Sequence, residues 1–276
     1  MSSKTMSLKA KINNYAKKNN IVAQVVLQNY MFEKFLERLS ISEYQEKFVI
    51  KGGMLIAAIV GLDTRSTMDL DTTLKNIQLT EEEVQRAIST ISDIDLHDEV
   101  KFEMISILPI RNDDAYGGFC VRINAIFDTI VTPLSIDVTA GDIITPKAIQ
   151  YELNGIFDKE VKIKLWGYNI ETVMAEKVEA ILSLGIFSTR PRDYYDVYIL
   201  TTTQEFDKEL FEEALKATMS HRGSSDRLAK ATEIIEMLAV NDDMKEVWRR
   251  YQKRFPYAQK IEYEKIIVVL KKLIFQ

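Results

Sequence analysis

Apolar positions recur at helical spacing through the first forty residues and predict two helices; the second gathers Val22, Val25, Val26, Phe32, Phe35, Leu36 and Leu39 on one stripe. A short strand-like run, Phe48 to Ile50, follows, is interrupted by Lys51, Gly52 and Gly53, and gives way to an apolar helix from Met54. After a polar loop, Asp63 to Thr67, Met68 and Leu70 alternate with Asp69 and Asp71, which is the period of a strand with one face inward. Thr80 followed by Glu83 reads as a capping box, and Val84, Ala87, Ile88 and Ile91 mark the inward face of its helix. Three strands are predicted next. The clearest puts Phe119, Val121, Ile123, Ala125 and Phe127 on one face with Arg122 and Asn124 on the other, and the pairing of strands here predicts a meander. The last, Leu134 to Thr139, has Leu134, Ile136 and Val138 on one side and Ser135, Asp137 and Thr139 on the other. From about Glu171 onward the period is helical only, as in Phe211, Ala214, Leu215 and again in Met244, Val247, Trp248, Tyr251. The expected fold class is α+β, with residues 1–168 carrying helices and a sheet and residues 169–276 forming a helical bundle.

Composition narrows the chemistry. With 276 residues, 46% of them apolar, the chain is long enough for a large packed core. The longest apolar stretch, Met54 to Leu62, is far short of the ~20 residues a membrane span needs, and Met1 to Asn20 has no apolar signal block, so a cytoplasmic protein with no membrane partner is expected. One cysteine, Cys120, and two distant histidines, His97 and His221, exclude an internal disulfide and a cysteine or multi-histidine metal site. A metal would have to sit on carboxylates, which selects a hard cation, Mg2+ or Mn2+. The net charge of -5 argues against a general nucleic-acid coat. Two basic runs remain, Lys9, Lys11, Lys17, Lys18 and Arg249, Arg250, Lys253, Arg254, and each reads either as a solvated helix face or as a local RNA contact.

The acidic pair is the strongest chemical signal. Asp69 and Asp71 leave one face of their strand with backbones about 7 Å apart, and two like charges there are costly unless a cation lies between them. Asp137, alternating out of a later strand, is the natural third ligand if its strand lies alongside. Three such carboxylates would hold two metal ions about 3.5–4 Å apart, with Asp137 doubling as a base. Gly52 and Gly53, between a strand and a helix, let backbone amides approach phosphate oxygens, and Arg65, Ser66 and Thr67 add donors. Lys177 falls on the inward stripe of a helix with Ile170, Val173, Met174, Val178, Ile181 and Leu182, so its ammonium needs a polar cleft or a partner. Asp193 and Asp196 lie near the start of a helix led by Pro191, where an acid either complements the helix dipole or serves the site. Of the two, Asp196 is the better candidate, orienting Lys177 or touching the nucleotide. Arg190 and Arg192 are positioned for phosphate, while Tyr194, Tyr195 and Tyr198 read as core.

These segments in this order resemble the polymerase-β-type nucleotidyltransferase superfamily, and within it the AbiEii/AbiGii-type toxins. The resemblance is carried by Phe48-Val49-Ile50-Lys51-Gly52-Gly53, Arg65-Ser66-Thr67-Met68-Asp69-Leu70-Asp71, Ile136-Asp137-Val138, Ala175-Glu176-Lys177 and Arg190-Pro191-Arg192-Asp193-Tyr194-Tyr195-Asp196. It implies a mixed sheet with flanking helices and a toxin of abortive phage infection. Such a toxin moves a nucleotide from a nucleoside triphosphate, bound between sheet and helical half, onto an acceptor, in some members the 3′ end of tRNA. A separately folded antitoxin opposes it. The resemblance also implies a nucleotide-binding role for Lys177. Two alternatives stay open: a nucleotide-binding toxin that acts by sequestration, and a phosphotransferase acting on a protein hydroxyl. The sequence departs from the wider superfamily in having Gly53 where serine is common, and in the 15 residues, 54–68, between Gly53 and Asp69.

Overall fold

The computed structural model describes residues 2–110 and 117–275. The chain divides into two units, Met1–Asp142 with Ala148–Gly167, and Ile143–Lys147 with Tyr168–Gln276. Ile143–Lys147 thus groups with the helical residues that follow 168, a detail that a single cut in the sequence does not express.

In the first unit, α1 (Ser3–Asn19) is capped by the Ser2 side chain, which accepts from the Thr5 N–H, and ends at Asn20 in the left-handed region. It is followed by α2 (Ala23–Ile41), β1 (Phe48–Lys51), α3 (Gly52–Val60), β2 (Asp69–Leu74), α4 (Glu81–Ser92), β3 (Val100–Pro109), β4 (Gly118–Phe127), β5 (Ile130–Ala140), β6 (Ile149–Asn154) and β7 (Lys162–Gly167). The seven strands form one mixed sheet in the order β3-β4-β5-β2-β1-β7-β6. β3, β4 and β5 are the antiparallel meander, with a bulge between Met104 and Ser106 that lets β3 turn with the sheet. β5 runs parallel to β2, β2 antiparallel to β1, β1 parallel to β7, and β7 antiparallel to β6.

The inward face of the sheet is aliphatic. Leu70, Val121, Ile123, Ala125, Leu134, Ile136 and Val138 are all buried there. α2 packs against β5 and β7 and brings Phe32, Phe35, Leu36 and Leu39 to the core; Phe35 meets Phe102 of β3 edge-on at 5.6 Å. Each of these side chains contributes about 1.5–3 kcal/mol through removal from water. α4 buries Val84, Ala87, Ile88 and Ile91 completely, but its capping box is only half made. The Thr80 hydroxyl accepts from the Glu83 N–H at 3.2 Å, while the Glu83 carboxylate turns outward to Arg86.

In the second unit, α5 (Ile170–Leu184), α6 (Pro191–Thr203), α7 (Lys208–His221), α8 (Ser225–Ala229), α9 (Ala231–Val240), α10 (Asp242–Arg254) and α11 (Tyr263–Phe275) make up the bundle. α5 packs on α6 and α7, and α11 on α6 and α9. Asn169 caps α5, its side-chain oxygen accepting from the Thr172 N–H at 2.7 Å while its amide reaches the carbonyls of Thr145 and Lys147. That triple contact ties Ile143–Lys147 to this unit. Among the described residues no helix is long and apolar enough to cross a membrane.

Candidate active site

The register of the sheet sets out the acidic residues. On the parallel pair β2/β5, Asp69 is opposite Ser135 and Asp71 opposite Asp137, so all three aspartates rise from one face of strands about 4.8 Å apart. The opposite face of the same residues' neighbours, Leu70, Ile136 and Val138, is the core, and alternation alone forces the carboxylates outward. Asp69 is exposed at the strand's start, whereas Asp71 and Asp137 are half-buried. Burial pushes the Asp137 carboxyl above the usual carboxylate range; Asp71 and Asp69 push it the same way, and the Cys120 thiol and Lys51 ammonium oppose them. Cys120 is the antiparallel partner of Asp137 and also contacts the Ser135 hydroxyl at 3.2 Å. Burial raises its thiol in turn.

The glycine turn is shaped by these same side chains. Gly52 opens α3 at φ +64°, and a Cβ there would lie 2.0 Å from Oδ2 of Asp71. Only glycine meets both demands. A Cβ on Gly53 would come 2.7 Å from Oγ1 of Thr67 and 3.2 Å from Nη2 of Arg65. The space above both glycines is therefore filled by the chain's own Asp71, Thr67 and Arg65. Arg65 is buried, at 2% exposure, with Nη1 donating to the Ser66 carbonyl, so it lies folded against Gly53 and not out in solvent. Ser66 is half-buried beside it. The N-cap residue of α3, Lys51, makes no side-chain capping hydrogen bond to the helix start.

Lys51, the last residue of β1 before the glycines, is the register partner of Asp71. Its Nζ donates to Thr139 Oγ1 at 2.8 Å and to Asp142 Oδ2 at 2.6 Å, and Thr73 Oγ1 also donates to Asp142 at 2.6 Å. Lys51 and these hydroxyls hold the Asp142 carboxyl down at about 2 despite burial. The signal available in the sequence was the position of Lys51 between strand and glycines; its partner, 91 residues away, was not legible.

The second unit carries Lys177, Asp193 and Asp196. Lys177 Nζ donates to Asp193 Oδ1 at 2.8 Å and stands 3.6 Å from Asp196 Oδ2, while Arg190 Nε is 3.0 Å from Asp193 Oδ2. Both aspartates are buried. The lysine on the apolar stripe thus meets two acids one helical turn apart on α6, and Asp193, not Asp196, is the closer partner. Tyr194 and Tyr195 are core residues, the latter 4.8 Å from the Tyr257 ring. Arg249 and Arg250 both bind Glu246 on α10, as on a solvated helix face.

Among the described residues, no three His, Cys, Asp or Glu side chains are gathered tightly enough to enclose a metal ion by themselves. The donor set of Asp69, Asp71 and Asp137 is all hard oxygen, with mutual repulsion felt at Asp137. That chemistry fits a cation completed by substrate oxygens and water more than a closed protein cage.

Comparison with known proteins adds the family. Two Helicobacter pylori crystal structures share the fold: a nucleotidyltransferase candidate, at 15% identity and a TM-score of 0.51 over 92% of this chain and 96% of that one, and JHP933, at 15% identity and a TM-score of 0.50 over 92% and 93%. No curated protein matches. The family model described as nucleotidyl transferase AbiEii toxin, type IV toxin–antitoxin system, matches residues 34–267. The chain belongs to the AbiEii nucleotidyltransferase toxin family, whose type IV systems pair each toxin with a cognate antitoxin.

Proposed function

We propose that the protein transfers a nucleotidyl group from a nucleoside triphosphate to an acceptor hydroxyl, with the 3′ end of tRNA as the acceptor class, and so arrests growth during phage infection. The observation that carries this reading is the Asp71–Asp137 register pair with Asp69 on the same face, beside a glycine turn and the start of α3. In the reaction, the acceptor oxygen forms a bond to the α-phosphorus, the bond from that phosphorus to the β-phosphate bridge breaks, and pyrophosphate leaves. Asp137, half-buried and inclined to take a proton, is assigned the proton of the acceptor hydroxyl. Asp69, Asp71 and Asp137 would hold Mg2+ or Mn2+, which when bound supplies Lewis-acid neutralisation of phosphate charge. The amides opening α3 are assigned to phosphate oxygens. In the second unit, Lys177 is paired with Asp193 and Asp196.

The test is incubation of purified protein with total RNA and each labelled triphosphate in turn. A labelled tRNA band identifies acceptor and base together, and Asp71→Ala is expected to abolish it with the fold intact. Undiminished labelling by that variant overturns the proposal. A product heavier by a phosphoryl rather than a nucleotidyl group would assign the same carboxylates to phosphotransfer, and growth arrest by Asp69→Ala would assign toxicity to sequestration.

A further inference from the structure

Helix α2 is fixed to the sheet by amides as well as by its apolar stripe. Gln28 and Asn29 are 6% and 5% exposed, in a helix whose buried positions are otherwise mostly hydrocarbon. Gln28 Nε2 donates to the carbonyl of Met68 at 2.9 Å and to that of Pro133 at 3.3 Å. Asn29 Nδ2 donates to the Thr67 carbonyl at 2.9 Å, and to Val25 in its own helix at 2.9 Å. Thr67 and Met68 are the two residues before Asp69, and Pro133 lies two before Ser135, the partner of Asp69. The β2/β5 ladder begins at Asp69 and Ser135, so the amide of Gln28 bridges the two strands at the open end of their pairing.

The amide is not there for packing. Both of its N–H groups go to the two strands, and its Oε1 is left buried with no hydrogen-bond partner. An orphaned acceptor of this kind costs free energy, and a methionine of similar size would fill the same volume without it. What the amide supplies and an apolar side chain does not is a fixed distance between two carbonyls.

We propose that Gln28 and Asn29 are positioning residues of the active site: from the core side, they set the separation and direction with which β2 delivers Asp69 and Asp71 toward Asp137 on β5. The inference rests on the reading that these carboxylates bind cations and carry nucleotidyl transfer. Partners that orient ligand carboxylates at one remove change metal affinity or activity by about 10- to 100-fold when removed.

The experiment compares wild type with Gln28→Met and Asn29→Leu by Mn2+ titration in the presence of a non-hydrolysable nucleoside triphosphate, followed by electron paramagnetic resonance, alongside kcat and melting temperature. Arg38→Met is the control, because Arg38 is another buried polar anchor of α2, binding Asp98 and the Val100 carbonyl of β3 away from the aspartates. Should that variant not fold, Glu33→Met, which removes the bond from Ile156 N, takes its place. The expected result is a 10- to 100-fold loss of Mn2+ affinity and kcat in Gln28→Met, with little change in melting temperature because the orphaned acceptor leaves together with the two bonds. The control should melt earlier and bind Mn2+ as wild type does. Wild-type Mn2+ affinity in Gln28→Met, or equal losses in the control, overturns the proposal. A wild-type protein that neither binds Mn2+ nor labels RNA refutes the reading of the site itself, and the proposal with it.

Discussion

Gly52→Ala is the most direct probe of how the glycine turn and the acids are built together. Two costs act at once. An L-residue at φ +64° pays roughly 1–2 kcal/mol for the left-handed conformation. The new methyl, 2.0 Å from Oδ2 of Asp71, must push that carboxylate about 1 Å aside, which at an off-rotamer cost of about 0.5–1.5 kcal/mol brings the total to roughly 1.5–3.5 kcal/mol. At about 2–4 °C per kcal/mol, the melting temperature should fall by roughly 3–14 °C. Activity should suffer more than stability, since a misplacement of about 1 Å in a reacting constellation costs on the order of a hundredfold in rate. Gly223→Ala separates the two effects: φ is +65° there and nothing lies within 4 Å of the added carbon. It should lose only the backbone share and keep full turnover. The assays are thermal unfolding and incorporation of labelled triphosphate per folded molecule. Full labelling by Gly52→Ala, or equal damage from Gly223→Ala, would refute the reasoning.

Other perturbations follow from the same geometry. Lys51→Met should cost about 1–3 kcal/mol, below the full value for a buried pair because both groups keep some solvent contact. The Asp142 carboxyl is held at about 2, below its ordinary 3.8, so its contribution is present above pH 4 and lost as pH falls toward 2; acid unfolding of Lys51→Met should lack that step. Glu33 has the opposite sign. Burial pushes its carboxyl up to about 7 from 4.5, so stability falls as pH rises through that window, and Glu33→Gln should be more stable than wild type at pH 8 by about 1–3 kcal/mol, read from urea unfolding at several pH values. Lys177→Met should lose about 3–5 kcal/mol by leaving Asp193 and Asp196 buried without their shared ammonium, and adding Asp193→Asn should recover part of it; additive losses in the double-mutant cycle would deny the pairing.

The parts of the fold legible in the sequence are those written in local periodicity. The stripe of α2 from Val26 to Leu39, the inward face of α4 and the alternation through Val121–Phe127 correspond to buried positions, because a helix or strand with one dry face must repeat its apolar residues at its own period, whereas Val22, expected on the α2 stripe, lies just before the helix and is exposed. β6 and β7 were not anticipated. The first is an edge strand with no buried position, and the second offers only Ile163 and Leu165 inward, too short a pattern to stand out. Sheet order was equally hidden, since nothing local says that β5 lies beside β2. The acidic pair was visible because two aspartates at a spacing of two have one geometric meaning on a strand. Lys51 and Asp142, Lys177 and Asp193, and the amides of Gln28 and Asn29 were illegible in their pairings: each side chain is ordinary alone and acquires its role from a partner far along the chain.

The pairing of β2 with β5 also sets when the three aspartates can come together during synthesis. Thr72, beside Asp71, bonds to the Asp137 carbonyl across 65 residues of chain, with α4 and the first two strands of the meander in between. Helices and hairpins close early because their contacts are local, and long-range parallel pairing comes late. A ribosome-bound chain that has exposed everything through β4 holds two of the three aspartates and no completed cluster. On the proposed reading, the carboxylate cluster is complete only once β5, the strand that carries Asp137, has been made.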